Sequence, residues 1–178
     1  MVKSQNASGQ GAGFAGTRRR YTYPPLSIFN PTMSHQAYVL GLMLSPSHSD
    51  VVLIRKNRPK WQAGLLNGVG GKVEPRETPP EAMVREFREE TGLETLQSQW
   101  REFAQLTGAD FLITCFVTED ARWQSAATST DEPIEHCSLA GGELGAIYRN
   151  AVSNLPALLA CALDPDKPYV TLTYRKAA

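Results

Sequence analysis

Cysteine and histidine are scarce in this chain, with three of each in 178 residues. Cys115, Cys137 and Cys161 are far apart, odd in number and without a CxxC spacing. That pattern argues against a zinc site and against a disulfide framework. Cys115 and Cys161 stand in apolar stretches and read as reduced core residues, the usage of a cytoplasmic protein. His35, His48 and His136 are scattered, which disfavours a histidine metal centre. Long apolar runs are missing too. The longest, AYVLGLML at 37–44, falls far short of the ~20 residues that span a bilayer. No apolar signal-peptide core follows Lys3. Neither sign of charge dominates, since Lys+Arg and Asp+Glu number 18 each. Bulk electrostatics therefore gives no reason to expect nucleic acid or an anionic membrane as partner. The one basic run, Arg18-Arg19-Arg20, reads as part of a solvated tail.

What is present divides unevenly. Residues 1–32 begin with a Gly-, Ala-, Ser- and Gln-rich stretch that cannot bury enough apolar surface to order itself. We expect a flexible N-terminal extension there, with one domain over 33–178 and Met33 as a possible natural start. Beyond it, periodicities alternate. HQAYVLGLML and DVVLIRK (50–56) read as strands joined by a Ser/Pro turn, and 65–69 as a short strand. A helix follows over 78–91, then strands near 100–106 and 111–117, a loop over 119–133 and a strand at 134–139. A second helix is expected over 155–163, and a last strand at 169–174. Strands outnumber helices and several connections are of hairpin length. The pattern predicts an α/β sandwich with a mixed sheet.

The helix over 78–91 carries the chemistry. Thr78 with Glu81 forms a capping box, Pro79 stands at the first helical position, and Gly92 supplies a left-handed stop. Met83 and Phe87, four apart, can pack on the sheet, and Glu81 with Arg85 makes an i,i+4 pair. Glu86, Glu89 and Glu90 share a face near the C-terminal end, where the helix dipole disfavours each acid by roughly 0.3–1 kcal/mol. A solvated acidic face would mix signs and keep its acids at the other end. A bound divalent cation resolves both the repulsion and the dipole problem, and carboxylates without His or Cys suit Mg²⁺ or Mn²⁺. The preceding LNGVGGKV is neither a Walker A loop, since Val73 follows Gly-Lys, nor GxGxxG. Its glycines permit close backbone approach, and leave a carbonyl such as that of Gly71 free to join a metal.

Gly71, Glu77, Arg85, Glu86, Phe87, Glu89, Glu90, Gly92 and Leu93 fill every defined place of the pattern G-x5-E-x7-R-E-U-x-E-E-x-G-U, with U apolar. The stretch resembles the Nudix box. The resemblance implies a Nudix-type α/β/α sandwich and metal-dependent hydrolysis of a nucleoside diphosphate linked to a further moiety. It implies Glu86, Glu89 and Glu90 as metal ligands with the Gly71 backbone oxygen, and Glu77 with Arg85 holding loop to helix. Either Glu86 or Glu89 would take the proton from water. Family members also use an acid outside the box, for which Asp131 or Glu132 is the candidate, against a bland role as loop residues. Glu135 falls inside a strand pattern.

For the substrate, the resemblance points to MutT-type nucleoside triphosphate pyrophosphohydrolases. Neither the proline of the ADP-ribose group nor the tyrosine of the diadenosine polyphosphate group occurs between Glu94 and Asp120. Upstream, Trp61 and Asn67 precede the glycines, and SNLPALLACAL resembles the MutT segment whose asparagine reads a purine. The matching residue is Asn154, equally suited to a helix N-cap. Trp61 and Trp123 can stack on a base or fill the core. The expected substrate is a purine nucleoside triphosphate, with ADP-ribose or another nucleotide sugar, or a non-catalytic nucleotide-binding module, as alternatives. The expected partner is a small nucleotide, with no nucleic acid and no membrane, in a monomer or homodimer.

Overall fold

The computed structural model describes residues 35–175. The extension expected over 1–32 and the start expected at Met33 lie outside them. Strand β1 (Gln36–Leu44) pairs in parallel with β5 (Phe111–Glu119) along its whole length, and antiparallel with β2 (Asp50–Arg55) near its end. The short β3 (Leu66–Asn67) and β6 (Ile134–Ser138) both pair with β2, while β4 (Arg101–Thr107) joins β5 to β7 (Val170–Thr173). Among the described residues these seven strands form one mixed sheet.

The sheet divides two cores by side-chain alternation. On one face helix α1 (Pro79–Thr91) buries Ala82, Met83 and Phe87 against Val39, Met43, Phe116 and Trp100. The Phe87 and Trp100 rings meet edge-on at 5.1 Å, and the indole N–H donates to Thr95 Oγ1 at 2.9 Å. The other face is covered by α2 (Glu143–Arg149) and α3 (Leu155–Leu163), whose Ile147, Leu155, Leu158 and Leu159 pack on Leu40, Leu42, Phe103 and Leu106. The α/β/α sandwich with a mixed sheet follows. Elements expected from periodicity appear within a few residues of their expected limits; β5 continues two residues further, to Glu119. Three details differ. 3₁₀ turns form at Gln97–Gln99 and at Trp123–Ser125, the latter within the expected loop, and α2 has no counterpart in the sequence reading. Helix α2 is two turns long with Ile147 as its one buried residue, so no apolar period develops.

The start of α1 is set by Glu81, which accepts from Thr78 N–H at 2.7 Å and Thr78 Oγ1–H at 2.6 Å. Glu81 therefore caps the helix, and the expected Glu81–Arg85 pair gives way. Gly92 closes the helix at φ 70°, its N–H donating to Arg88 O at 2.8 Å. Among the described residues no helix is long and apolar enough to cross a membrane.

Phe87 is fully buried and touches both sheet and Trp100. Phe87→Ala should cost about 3–5 kcal/mol, the usual loss for a buried phenylalanine. Urea unfolding measures it, and a loss under about 1 kcal/mol would mean that α1 is not held by this ring.

Candidate active site

The segment 69–73 runs antiparallel beside the first half of β1. Gly41 and Val69 exchange backbone hydrogen bonds at 2.7 and 3.0 Å, and Val73 N–H donates to Ala37 O at 3.0 Å. This brings the glycines hard against both strand and helix. A Cβ on Gly70 would come within 2.2 Å of Val39 O, and one on Gly71 within 2.5 Å of the Glu86 carboxylate. The Gly71 carbonyl is not free, as the sequence reading expected. It accepts from Val39 N–H at 2.9 Å, because the segment is used as a strand partner, and one lone pair remains.

Arg85 lies at the centre of the acids. Its Nε and Nη2 donate to Glu77 at 2.8 Å each, Nη2 also to Lys72 O at 2.9 Å, and Nη1 to Glu86 at 2.9 Å and Glu89 at 3.2 Å. This guanidinium fastens the 72–77 loop to α1 and offsets much of the like-charge repulsion. It holds the Glu77 carboxyl below its ordinary value. Burial pushes the Glu86 carboxyl up, with Arg85 opposing. Glu89 keeps 49% of its side chain exposed.

Glu90 is placed differently. It is buried, accepts from Gly70 N–H at 3.0 Å, and stands 3.9 Å from Lys56 Nζ. Burial pushes its carboxyl up to about 7, against the pull of Lys56 and the Gly70 amide. Glu86, Glu89 and Glu90 therefore share one helical face, but their carboxylates do not converge. Among the described residues no three His, Cys, Asp or Glu side chains form a metal-ready cluster. As donors they still fit a hard divalent ion in kind: oxygen ligands, two of them partly desolvated, beside a glycine carbonyl with a spare lone pair.

The acids outside the box are both engaged. Glu132 is buried, takes a hydrogen bond from Lys56 Nζ, and accepts from the N–H groups of Asn57 at 2.6 Å and Arg58 at 3.2 Å. Burial pushes Glu132 up, but these donors outweigh it and hold the carboxyl low. Asp131 pairs on the surface with Arg58 at 2.7 Å. Glu135, in β6, grips Arg55 with both oxygens, at 2.5 and 2.8 Å.

Next to the glycines opens a cleft of about 790 Å³, lined by Trp61, Asn67, Gly70, Gly71 and Asn154 among others. Trp61 is 71% exposed, so it does not fill the core. Trp123 instead packs beside the α1 core, edge-on to His136 at 5.3 Å, and does not line this cleft. Asn67 Oδ1 accepts from Gly68 N–H at 2.9 Å, which shapes the glycine turn. Asn154 precedes α3, but its side chain caps nothing. Its Oδ1 is one of two buried side-chain oxygens without a hydrogen-bond partner among the described residues. The helix-cap alternative for Asn154 thus fails. Lys56, Tyr38, Phe111 and Tyr174 also line the cleft and were missed. Their sequence neighbourhoods carry no motif; strand pairing between distant segments brings them together.

With this geometry, comparison with known proteins is direct. The family described as NUDIX domain matches residues 34–140 of the 178. The chain belongs to the Nudix family, whose hydrolases generally use divalent metals. It is 42% identical over 50 residues to the CTP pyrophosphohydrolase of Escherichia coli (strain K12), a match covering 28% of this chain and 37% of that protein. The chain thus matches little more than a third of that relative's length. Its fold is similar to that of the mutator MutT protein from Bacillus halodurans, with a TM-score of 0.58 and 16% identity over 79% of this chain and 90% of that one. It is also similar to a bifunctional NMN adenylyltransferase/ADP-ribose pyrophosphatase from Francisella tularensis, complexed with AMP and a manganese ion. There the TM-score is 0.56 and the identity 16%, over 73% of this chain and 41% of that one. At such identities the structural likeness speaks for the fold alone.

The raised Glu90 carboxyl has a measurable consequence. Its folded value, about 7, lies above the ordinary ~4.3 of an unfolded glutamate. Its contribution to stability is complete below the unfolded value and is lost as pH rises through the folded one. In the presence of chelator the protein should therefore be more stable at pH 5.5 than at pH 8, by about 2 kcal/mol. Glu90→Gln should flatten that dependence. Equal slopes for wild type and variant would show that Glu90 is not the group responsible.

Proposed function

We propose that the chain hydrolyses a pyrophosphate bond in a nucleoside diphosphate derivative, and that its substrate is a nucleoside triphosphate, cleaved to monophosphate and pyrophosphate. The observation that carries this reading is the close contact between glycines and acids. Gly70 and Gly71 line the nucleotide-sized cleft while touching Glu90 and Glu86 of the complete box helix. A base and sugar in the cleft would lay the phosphate chain across these glycines, where the missing side chains allow contact with the carboxylates.

Glu86, Glu89 and Glu90, with the spare lone pair of Gly71 O, are the residues that would hold Mg²⁺ or Mn²⁺. When bound, such an ion screens phosphate charge and makes water a better nucleophile at phosphorus. The protein's own part is orientation and proton acceptance. Arg85, braced by both oxygens of Glu77, sets the rotamers of Glu86 and Glu89. One of these two accepts the proton of the attacking water. Glu89 is the more exposed and Glu86 the closer to the glycines, which leaves either able to serve. Lys56, lodged between Glu132 and Glu90, stands at the cleft wall.

Glu89→Gln keeps the shape of the side chain and removes its charge, so kcat should fall by ~10²–10⁴. A variant that keeps more than about half the wild-type kcat at saturating Mg²⁺ would remove Glu89 from the machinery. Chelator should abolish turnover of the wild type.

The base is proposed to be a purine, because Asn154 lines the cleft, its buried Oδ1 lacks a hydrogen-bond partner among the described residues, and its segment resembles the purine-reading stretch of MutT-type enzymes. If the Asn154 amide turns toward the cleft, a base N–H brought to Oδ1 would recover the ~1–3 kcal/mol cost of a buried unsatisfied group. The identity to CTP pyrophosphohydrolase favours a second reading, a pyrimidine triphosphate. Steady-state kinetics on a panel of triphosphates and ADP-ribose decides between them. Asn154→Ala should raise KM for the preferred substrate by ~10-fold. A panel led by CTP would replace purine with pyrimidine, and one led by ADP-ribose would overturn the triphosphate reading.

A further inference from the structure

Among the described residues, the sheet face covered by α2 and α3 is not covered to its end. Alternation along β1 sends Tyr38 to the same face as Leu40, Leu42 and Leu44, and along β5 sends Phe111 with Ile113, Cys115 and Val117. Register fixes their order across the sheet. Tyr38 lies opposite Ile113, Ile113 opposite Leu106, and Leu106 opposite Leu172. One step further along the strands, Gln36 lies opposite Phe111. On β7 the same face carries Val170 and Leu172, and the next residue in that alternation is Tyr174. The row ends as a pair of rings. Phe111 and Tyr174 stand 5.9 Å apart between centroids, tilted by 54°.

Both rings are anchored from behind. Phe111 lies so close over Gly108 that a Cβ there would come within 2.2 Å of its ring. Tyr174 N–H donates to Thr107 O at 2.7 Å, which extends the β4–β7 pairing by one residue. Yet Tyr174 keeps 43% of its surface exposed, and it lines the same cleft as Asn154 and Trp61. A tyrosine whose purpose were to seal the core would bury more of its ring. A ring fixed at its back and open toward a cleft suits stacking by a flat heterocycle, a contact that depends on the π face and scales with base size.

We infer that Tyr174, backed by Phe111, is a specificity-determining residue of the cleft: the wall against which the nucleobase lies, with a two-ring base gaining more than a one-ring base. This rests on the nucleotide reading above, and adds to it a residue near the end of the described chain, far in sequence from the box.

The test uses the full chain with Tyr174→Ala, Tyr174→Leu and Tyr174→Phe. Leucine keeps an apolar contact with Phe111 but offers no ring face, which guards against an alanine variant that fails to fold. Melting temperatures establish folding. The alanine and leucine variants should raise KM for a purine triphosphate by ~10-fold, with the change in KM rather than kcat, and phenylalanine should restore it. The Kd for AMP by calorimetry should weaken in parallel, while inhibition by inorganic pyrophosphate, which has no base, should not move. An unchanged KM and AMP Kd in folded alanine and leucine variants would overturn the inference. So would an equal loss of pyrophosphate inhibition, or a failure of phenylalanine to rescue. Should the wild type turn over no nucleotide, the proposed function falls, and the AMP binding comparison still decides whether Tyr174 faces a base.

Discussion

Arg85 is the interaction on which the site depends. Its guanidinium is shared by Glu77, Glu86, Glu89 and the Lys72 carbonyl, so one side chain ties an irregular loop to a helix face that electrostatics alone would disfavour. A planar fork can do this where a lysine could not, because two parallel N–H groups engage Glu77 while the third nitrogen turns to the helix acids. The arrangement also explains how like charges at the dipole-negative end of α1 coexist in the protein alone. Repulsion is relieved by a fixed internal cation, while burial still pushes the carboxyls of Glu86 and Glu90 upward. The donors therefore retain a reason to accept a further positive charge.

Much of this was legible in the sequence because it is local. The helix, its glutamates, Thr78, Glu81 and Gly92 lie within one short stretch, where spacing converts directly into faces and caps. The limits of that reading are equally physical. Spacing placed Glu81 beside Arg85, but the capping demand of Thr78 and the two-oxygen offer of Glu77 won each of them away. The Gly71 carbonyl looked free because nothing in the sequence says that 69–73 pairs with β1. Asn154 stood in a position to cap α3, and the structure turns its side chain away from that task.

The aromatic floor of the cleft was not legible at all. Tyr38, Phe111 and Tyr174 are separated by more than sixty residues at each step, and their common face exists through the parallel pairing of β1 with β5 and of β4 with β7. Parallel pairing joins segments distant in sequence, so no hairpin signal announces it. The same holds for the clamp between 56–58 and 131–132, where Glu132 serves Lys56 and two backbone amides. A loop acid and a lysine just past the end of β2 give no hint of each other until β2 and β6 are known to be neighbours.

These contacts divide the labour between the two sides of the sheet. The acid helix packs on one face, and the rings open from the other. On the function proposed above, a substrate that uses both would pass where the separating layer is thinnest. The 68–71 segment meets that condition: Gly70 has no room for a side chain beside Val39, and Gly71 none beside Glu86. Any residue larger than glycine at position 71 would push the Glu86 carboxylate from its place or part the segment from β1. The glycines therefore serve neither as a phosphate-binding loop of the Walker kind nor as a flexible hinge. They are a thin layer between β1 and the Glu86 carboxylate, held in place by the bonds that the Val69 and Gly71 carbonyls accept from β1.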